Sequence, residues 1–176
     1  MDEERFFQKP WWNYLEEDLK ELFLESFFLI KVVGQWRKNL PHERSEFHDY
    51  AFVVFPAAKA YEGFLKKLFL DLGFISLEEY KGRRFRVGKA LNPELDREKY
   101  ANISIYDKLV SFCGGEGVAR KLWDTWTRCR NLAFHWFPGE KNVLTFEEAR
   151  SCITMIIEAV DNAFEGCKIS QRPQNG

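Results

Sequence analysis

The sequence has 176 residues, 45% of them hydrophobic and 16% aromatic, which is enough for one domain with a sizeable core. A formal net charge of -1 excludes general electrostatic attraction to nucleic acid or membranes, so any polyanion must be bound by a local basic patch. The apolar runs are too short to span a bilayer and the acidic N-terminus does not resemble a signal peptide, so we expect a soluble, cytoplasmic protein without membrane contact.

The four cysteines, at positions 113, 129, 152 and 167, show no metal-binding or redox spacing. No pair is separated by two residues, as in a zinc knuckle or a thioredoxin-like motif. Cysteines of cytoplasmic proteins are usually reduced, and unpaired cysteines are usually buried. We therefore predict four free thiols and no metal site.

Hydrophobic periodicity favours helices in the first half of the chain. Apolar residues recur at helical spacing between residues 12 and 33 and predict the first helix. A second helix is predicted over residues 55–72, with Pro56 in its first turn and Gly73 as its C-terminal stop. Its apolar residues share one face, which predicts a buried stripe formed by Tyr61, Phe64, Leu65, Leu68, Phe69 and Leu72.

Residues 74–103 are the least helical part and contain the densest positive charge. Residues 84–87 alternate in character, which predicts a short hairpin or an ordered loop. The basic side chains, together with Tyr80 and Phe85, could bind an RNA backbone and stack a base. The alternative is a solvated hairpin whose charge is balanced by neighbouring glutamates. The candidate RNA-binding residues here are Arg83, Arg84, Arg86 and Lys89.

Three more helices are predicted in the C-terminal half. The first spans residues 105–112, and the second covers residues 116–136, because Pro138 disfavours helical backbone at the preceding residue. The third begins with a capping box formed by Thr145 and Glu148. Its apolar residues predict a second buried stripe.

These elements predict an all-α bundle of about four or five helices with a short non-helical or hairpin insertion. We expect one domain over residues 1–167 and a disordered C-terminal tail over residues 168–176. This architecture by itself does not indicate an activity.

The segment 128-RCRNLAFHWFPGE-140 places Arg130, Asn131 and His135 among several aromatic residues. Polar side chains are uncommon in such surroundings unless they have a hydrogen-bonding partner or a functional role. On a regular helix the arginine and the histidine would lie about 140° apart and flank one groove. His135 would then occupy the last helical turn, where the helix dipole favours an imidazolium. The alternative is a surface arginine and a structural histidine.

An arginine and a histidine could together cleave RNA through the 2′-hydroxyl of the substrate. The reaction needs a base, an acid and positive charge at the phosphate, but no metal, because the nucleophile belongs to the RNA. One chain supplies one such histidine, so two chains about a twofold axis would supply both acid and base. Arg128 faces either the same cleft, as a further RNA contact, or the solvent.

The stretch 130-RNLAFH-135 resembles the R-N-x-x-x-H form of the Arg-x4–6-His signature of HEPN domains (higher eukaryotes and prokaryotes nucleotide-binding). As in that family, the motif precedes the last long helix. The stretch 60-AYEGFLKKLFLDLG-73 resembles an early HEPN core helix, especially that of RNase LS-type toxins. The resemblance covers about residues 12–166. It implies a homodimeric, metal-independent endoribonuclease with Arg130 and His135 as the catalytic pair and Asn131 as polar support.

The resemblance also implies partners, which are an RNA substrate, a second copy of the chain and a cognate antitoxin if the protein is a toxin of a toxin–antitoxin or phage-defence system. No cofactor is implied. HEPN toxins paired with nucleotidyltransferases commonly have a modifiable tyrosine two residues after the histidine, whereas this chain has Phe137. The alternative function is a non-catalytic HEPN-like module that binds a nucleotide, RNA or a protein, and a weaker one is an inhibitor or scaffold protein.

Overall fold

A computed structural model describes residues 6–39, 47–95, 104–113, 115–140 and 142–169. In these residues all regular structure is helical, which confirms the predicted all-α class. A 3-10 turn at Trp12–Tyr14 precedes the first α-helix. None of the described helices is long and apolar enough to cross a membrane. The helices are α1 (Glu17–Lys38), α2 (Ala51–Asp71), α3 (Leu77–Lys81), α4 (Val87–Ala90), α5 (Tyr106–Phe112), α6 (Glu116–Trp126) and α7 (Phe146–Gly166).

Helix α2 lies at the centre of the bundle and packs against α1 and α7. Its predicted apolar stripe is buried along its whole length. The helix begins at Ala51, one turn earlier than predicted, so Pro56 lies inside it rather than in its first turn. A proline ring clashes with the preceding helical turn. At the residue after Pro56, the N–H of Ala57 donates a hydrogen bond of 2.8 Å to the buried Oγ of Ser26, which links α1 to α2.

Helix α7 begins at the predicted capping box. The N–H of Glu148 donates to Oγ1 of Thr145 at 3.2 Å, and the N–H of Thr145 donates to the carboxylate of Glu148 at 2.8 Å. The hydroxyl of Thr145 also donates to the Glu148 carboxylate at 2.8 Å, and the two bonds that this carboxylate accepts from Thr145 hold the pKa of Glu148 below its ordinary value. The predicted stripe of the helix is buried and consists of Ala149, Cys152, Ile153, Ile156, Val160, Ala163 and Phe164.

The prediction of four free thiols is wrong for one pair of cysteines. Cys113 and Cys167 form a disulfide, with their Cα atoms 4.3 Å apart. They follow α5 and α7 directly, and the packing of these helix ends brings together residues that are 54 positions apart. Cys129 and Cys152 remain free and buried. The expectation that all four cysteines stay reduced, as in most cytoplasmic proteins, therefore does not hold for the bonded pair.

The hairpin alternative for the basic segment is wrong in the described residues. The short helices α3 and α4 flank an irregular stretch, residues 82–86, which has a bend at Arg83 and forms no strand there. A Cβ at Gly88 would lie 2.5 Å from Nε1 of Trp126, so the backbone of α4 packs directly on that indole. Packing against α6 therefore positions the basic segment.

At the other end of the chain Ile169 is still buried, and the rest of the predicted tail lies outside the described residues.

Candidate functional site

The α-helix that carries the motif ends ten residues earlier than predicted. Helix α6 stops at Trp126 and continues as a single π-helical turn, Thr127–Asn131, followed by a 3-10 turn, Leu132–Phe134. The 140° relation of a regular helix therefore does not apply to the arginine and the histidine. Periodicity could not reveal this change, because one π turn and one 3-10 turn are each too short to establish a repeat of their own. Single π-helical turns are frequently found at functional sites.

Arg130 lies in the π turn with its guanidinium group held on two sides. Its Nε and Nη2 atoms donate to Oε2 of Glu62 in α2, at 3.4 and 3.3 Å. The guanidinium carbon lies 5.6 Å from the ring centre of Trp126 and 5.9 Å from that of Phe134. About a third of the Arg130 side chain is exposed. The arginine is thus oriented by the protein and still reachable from solvent.

His135 follows the last helical turn in extended backbone, with φ -111° and ψ 136°. It does not occupy a helical turn, so the predicted effect of the helix dipole does not apply. The side-chain amide of Asn142 donates to the carbonyl oxygens of Leu132, at 2.9 Å, and of His135. The side chain of His135 is exposed, with its ring 6.2 Å from that of Phe137. The histidine therefore lies in an extended segment braced by Asn142, open to an incoming molecule.

A cavity of about 400 Å³, which we name the inner cavity, lies between α2, α4, α6 and the π turn. Three cationic side chains, Arg86, Lys89 and Arg130, line it together with one carboxylate, that of Glu62. Asn131 is also part of its wall. The structure thus places two of the predicted RNA-binding residues beside two of the predicted catalytic residues. The remaining lining residues are Val87, Gly88, Trp123 and Trp126.

A second cavity of about 770 Å³, which we name the outer cavity, shares Arg86 and Lys89 with the inner one. Arg83 and Arg84 also line it, so all four predicted RNA-binding residues of the basic segment lie along these two cavities. Nη1 of Arg86 donates to the carbonyl oxygen of Arg83 at 2.7 Å, which fixes the course of the segment. The other residues of the wall are Glu78, Glu79, Gly82 and Phe85.

Arg128 is separate from the two cavities and lines neither of them. It is exposed and lies near the start of α7, where it acts electrostatically on Cys152. The pKa of Cys152 is lowered, chiefly by a hydrogen bond with the Cys129 thiol and less by the charge of Arg128. The same hydrogen bond, with burial, raises the pKa of Cys129. Arg128 and Arg130 therefore lie on different sides of the π turn.

Exposed apolar side chains surround His135. Trp136 is 80% exposed, and Leu132 and Phe137 are exposed as well. The ring of Phe134 meets that of Phe55 at 5.5 Å, edge to face, which extends this apolar area onto α2. Large contiguous apolar patches on a protein surface usually mark an interaction site. We name this patch the aromatic surface, and it consists of Phe55, Leu132, Trp136 and Phe137.

Sequence reasoning missed Glu62 and Trp123 as part of the site. Glu62 lies outside the apolar stripe of α2, and no local pattern links it to an arginine 68 residues away. Trp123 falls at an ordinary helical position. In the described part of the chain, no three His, Cys, Asp or Glu side chains are grouped as metal ligands.

Comparisons with known protein families, with curated proteins and with solved structures give no match to this chain.

Proposed function

We propose that the protein is a metal-independent endoribonuclease with Arg130 and His135 as its catalytic residues and Asn131 as their polar support. The observation that carries the proposal is the π turn. It supports an oriented, partly exposed arginine at a cationic cavity, and one 3-10 turn later the chain reaches an exposed histidine in a braced extended segment. These side chains suit a phosphate ester and a proton transfer. The R-N-x-x-x-H resemblance indicates the same pair.

In this mechanism the RNA supplies its own nucleophile. The neutral imidazole of one His135 removes the proton of a 2′-hydroxyl, whose oxygen attacks the adjacent phosphorus. The bond from phosphorus to the 5′-oxygen breaks, and that oxygen takes a proton from an imidazolium. The products are a 2′,3′-cyclic phosphate and a free 5′-hydroxyl. The guanidinium of Arg130 stabilises the charge that develops on the non-bridging phosphate oxygens.

The acid and the base come from two copies of the chain in this proposal. Each chain has one histidine in the motif, whereas the reaction uses a neutral imidazole as the base and an imidazolium as the acid. The aromatic surface around His135 is suited to burial against a second copy about a twofold axis, where the same patch meets itself. A symmetric dimer formed there brings the two histidines towards one cleft.

The biological role that we propose is that of a toxin in a toxin–antitoxin or phage-defence system, inhibited by direct binding of an antitoxin protein. An unregulated ribonuclease would damage the cell that makes it. Expression of the wild-type chain alone should therefore slow the growth of its host, and expression of His135→Ala should not.

The reaction is tested by incubating purified protein with RNA in EDTA and analysing the product ends. We expect cleavage in the chelator and products that end in 2′,3′-cyclic phosphate, because the nucleophile is intramolecular. Cleavage that stops in EDTA, or products with 3′-hydroxyl ends, would contradict the mechanism. RNA that is bound but stays intact would instead assign the chain to the second candidate function, a non-catalytic RNA-binding module, which the cationic cavities also favour.

A further inference from the structure

The inner and outer cavities form one cationic path across the surface, because Arg86 and Lys89 line both of them. Five cationic side chains border the path, against three carboxylates. Glu62 pairs with Arg130, and the other four cations still outnumber the carboxylates of Glu78 and Glu79, so the path keeps a net positive charge. The path therefore favours a polyanion although the whole chain has a net charge of -1.

The inner cavity is of the size of one small ligand, at about 400 Å³. Its wall combines phosphate-binding groups with an amide, that of Asn131, and with the apolar side chains of Trp123 and Trp126. This mixture suits a single nucleotide, which has both a charged phosphate and a flat apolar base. A base-paired nucleotide cannot enter such a cavity, because its base is stacked inside a duplex.

The outer cavity is larger, and its positive charges come from exposed side chains of the irregular stretch 82–86 and of helix α4. Arg83, Arg84, Arg86 and Lys89 are all exposed, while Phe85 is half-buried and packs on Phe69 of α2. Phe85 thereby anchors a segment whose arginines extend into solvent. Such an arrangement contacts phosphates along a strand without selecting a base sequence.

We propose that the two cavities together form a binding trough for single-stranded RNA. One nucleotide next to the scissile phosphate occupies the inner cavity, and the backbone of the following nucleotides lies along the outer cavity. The trough restricts the enzyme to unpaired RNA. This inference rests on the proposed function for the position of the scissile phosphate, but the binding itself is independent of catalysis.

The test measures equilibrium binding to full-length His135→Ala protein, which leaves the RNA intact. The probes are one fluorescent RNA oligonucleotide as a single strand and the same oligonucleotide annealed to its complement, each at several KCl concentrations. We expect the single strand to bind at least tenfold more tightly than the duplex. Adding Arg86→Gln and Lys89→Gln to this protein should weaken single-strand binding by at least tenfold. It should also reduce the slope of log Kd against log [KCl] by about 1.4, because each of the two lost phosphate contacts contributes about 0.7.

The matched control replaces two other exposed cations, Lys38→Gln with Arg150→Gln, in the basic cavity between α1 and α7. This change removes the same charge and should leave binding nearly unchanged. Equal losses of affinity for the single strand in both double variants would overturn the trough proposal. So would a duplex that binds as tightly as the single strand. A trough that binds as expected in a protein that never cleaves RNA would contradict the proposed function alone. Cleavage by wild-type protein with unchanged binding in the Arg86/Lys89 variant would contradict the trough alone.

Discussion

Glu62 holds Arg130 through a single carboxylate oxygen. Oε2 accepts from both Nε and Nη2 of the arginine, at 3.4 and 3.3 Å, across 68 positions of sequence. Within the described residues, neither Oε1 of Glu62 nor Nη1 of Arg130 has a protein partner. The contact therefore orients the guanidinium group and leaves one of its amino groups available for a phosphate oxygen.

Replacing Glu62 with glutamine should reduce cleavage more than stability. The amide keeps the shape of the side chain but loses the charge that positions Arg130, so we expect kcat to fall roughly 10- to 100-fold with little change in KM. The ion pair is about one-third exposed, so the free energy of unfolding should change by less than about 1 kcal/mol. Steady-state kinetics and thermal unfolding check both values.

The matched control for this variant is Glu158→Gln, which removes the carboxylate of another pair between helices, with Lys121 at 2.8 Å. It should leave kcat unchanged. Glu62→Asp keeps the charge and should recover part of the lost rate. A Glu62→Gln enzyme with wild-type kcat would show that the pair has only a structural role.

Replacing Trp136 with glutamate should abolish both the dimer and the activity. Trp136 is 80% exposed in the single chain, so the change should alter monomer stability by less than about 0.5 kcal/mol. A charge at the centre of a self-complementary apolar interface would oppose its burial. Analytical ultracentrifugation should show a dimer for the wild type and a monomer for the variant. Phe28→Glu, an exposed position on α1, is the control and should remain dimeric.

Removing the disulfide should destabilise the protein. Cys113 and Cys167 close a long loop and join the ends of α5 and α7, so their double replacement by serine should cost roughly 2–4 kcal/mol. The corresponding fall in Tm is about 5–15 °C. A reducing agent should lower the Tm of the wild type and leave that of the double variant unchanged. A wild-type Tm that stays the same after the disulfide is reduced would contradict this prediction.

The sequence was sufficient to predict the elements that depend on local patterns. Apolar spacing identified the buried stripes of α2 and α7, and Thr145 with Glu148 marked the start of α7, because capping boxes are short-range signals. The basic segment was expected to be a hairpin or an ordered loop, whereas residues 77–81 and 87–90 form the short helices α3 and α4 and only the stretch between them is non-helical. Packing on Trp126, which acts over a long sequence distance, determines its path.

The missed features of the site depend on tertiary contacts or on backbone geometry. The Glu62–Arg130 pair and the disulfide each join distant positions, and neither has a spacing signature. The π turn at Thr127–Asn131 differs from an α-helix by the register of its hydrogen bonds, which side-chain periodicity does not encode. The residues of the motif could be identified in the sequence, whereas the exposure of His135 and the cavity beside Arg130 are seen only in the structure.

The role of His135 is tested most directly by the rate of RNA cleavage in EDTA under single-turnover conditions, for wild-type protein and two histidine variants. His135→Ala removes the proposed acid and base, and His48→Ala removes another exposed histidine as a matched control. The proposed mechanism predicts loss of at least 100-fold in the first variant, with unchanged Tm and dimer, and a wild-type rate in the second. Equal cleavage rates in wild type and His135→Ala would contradict it.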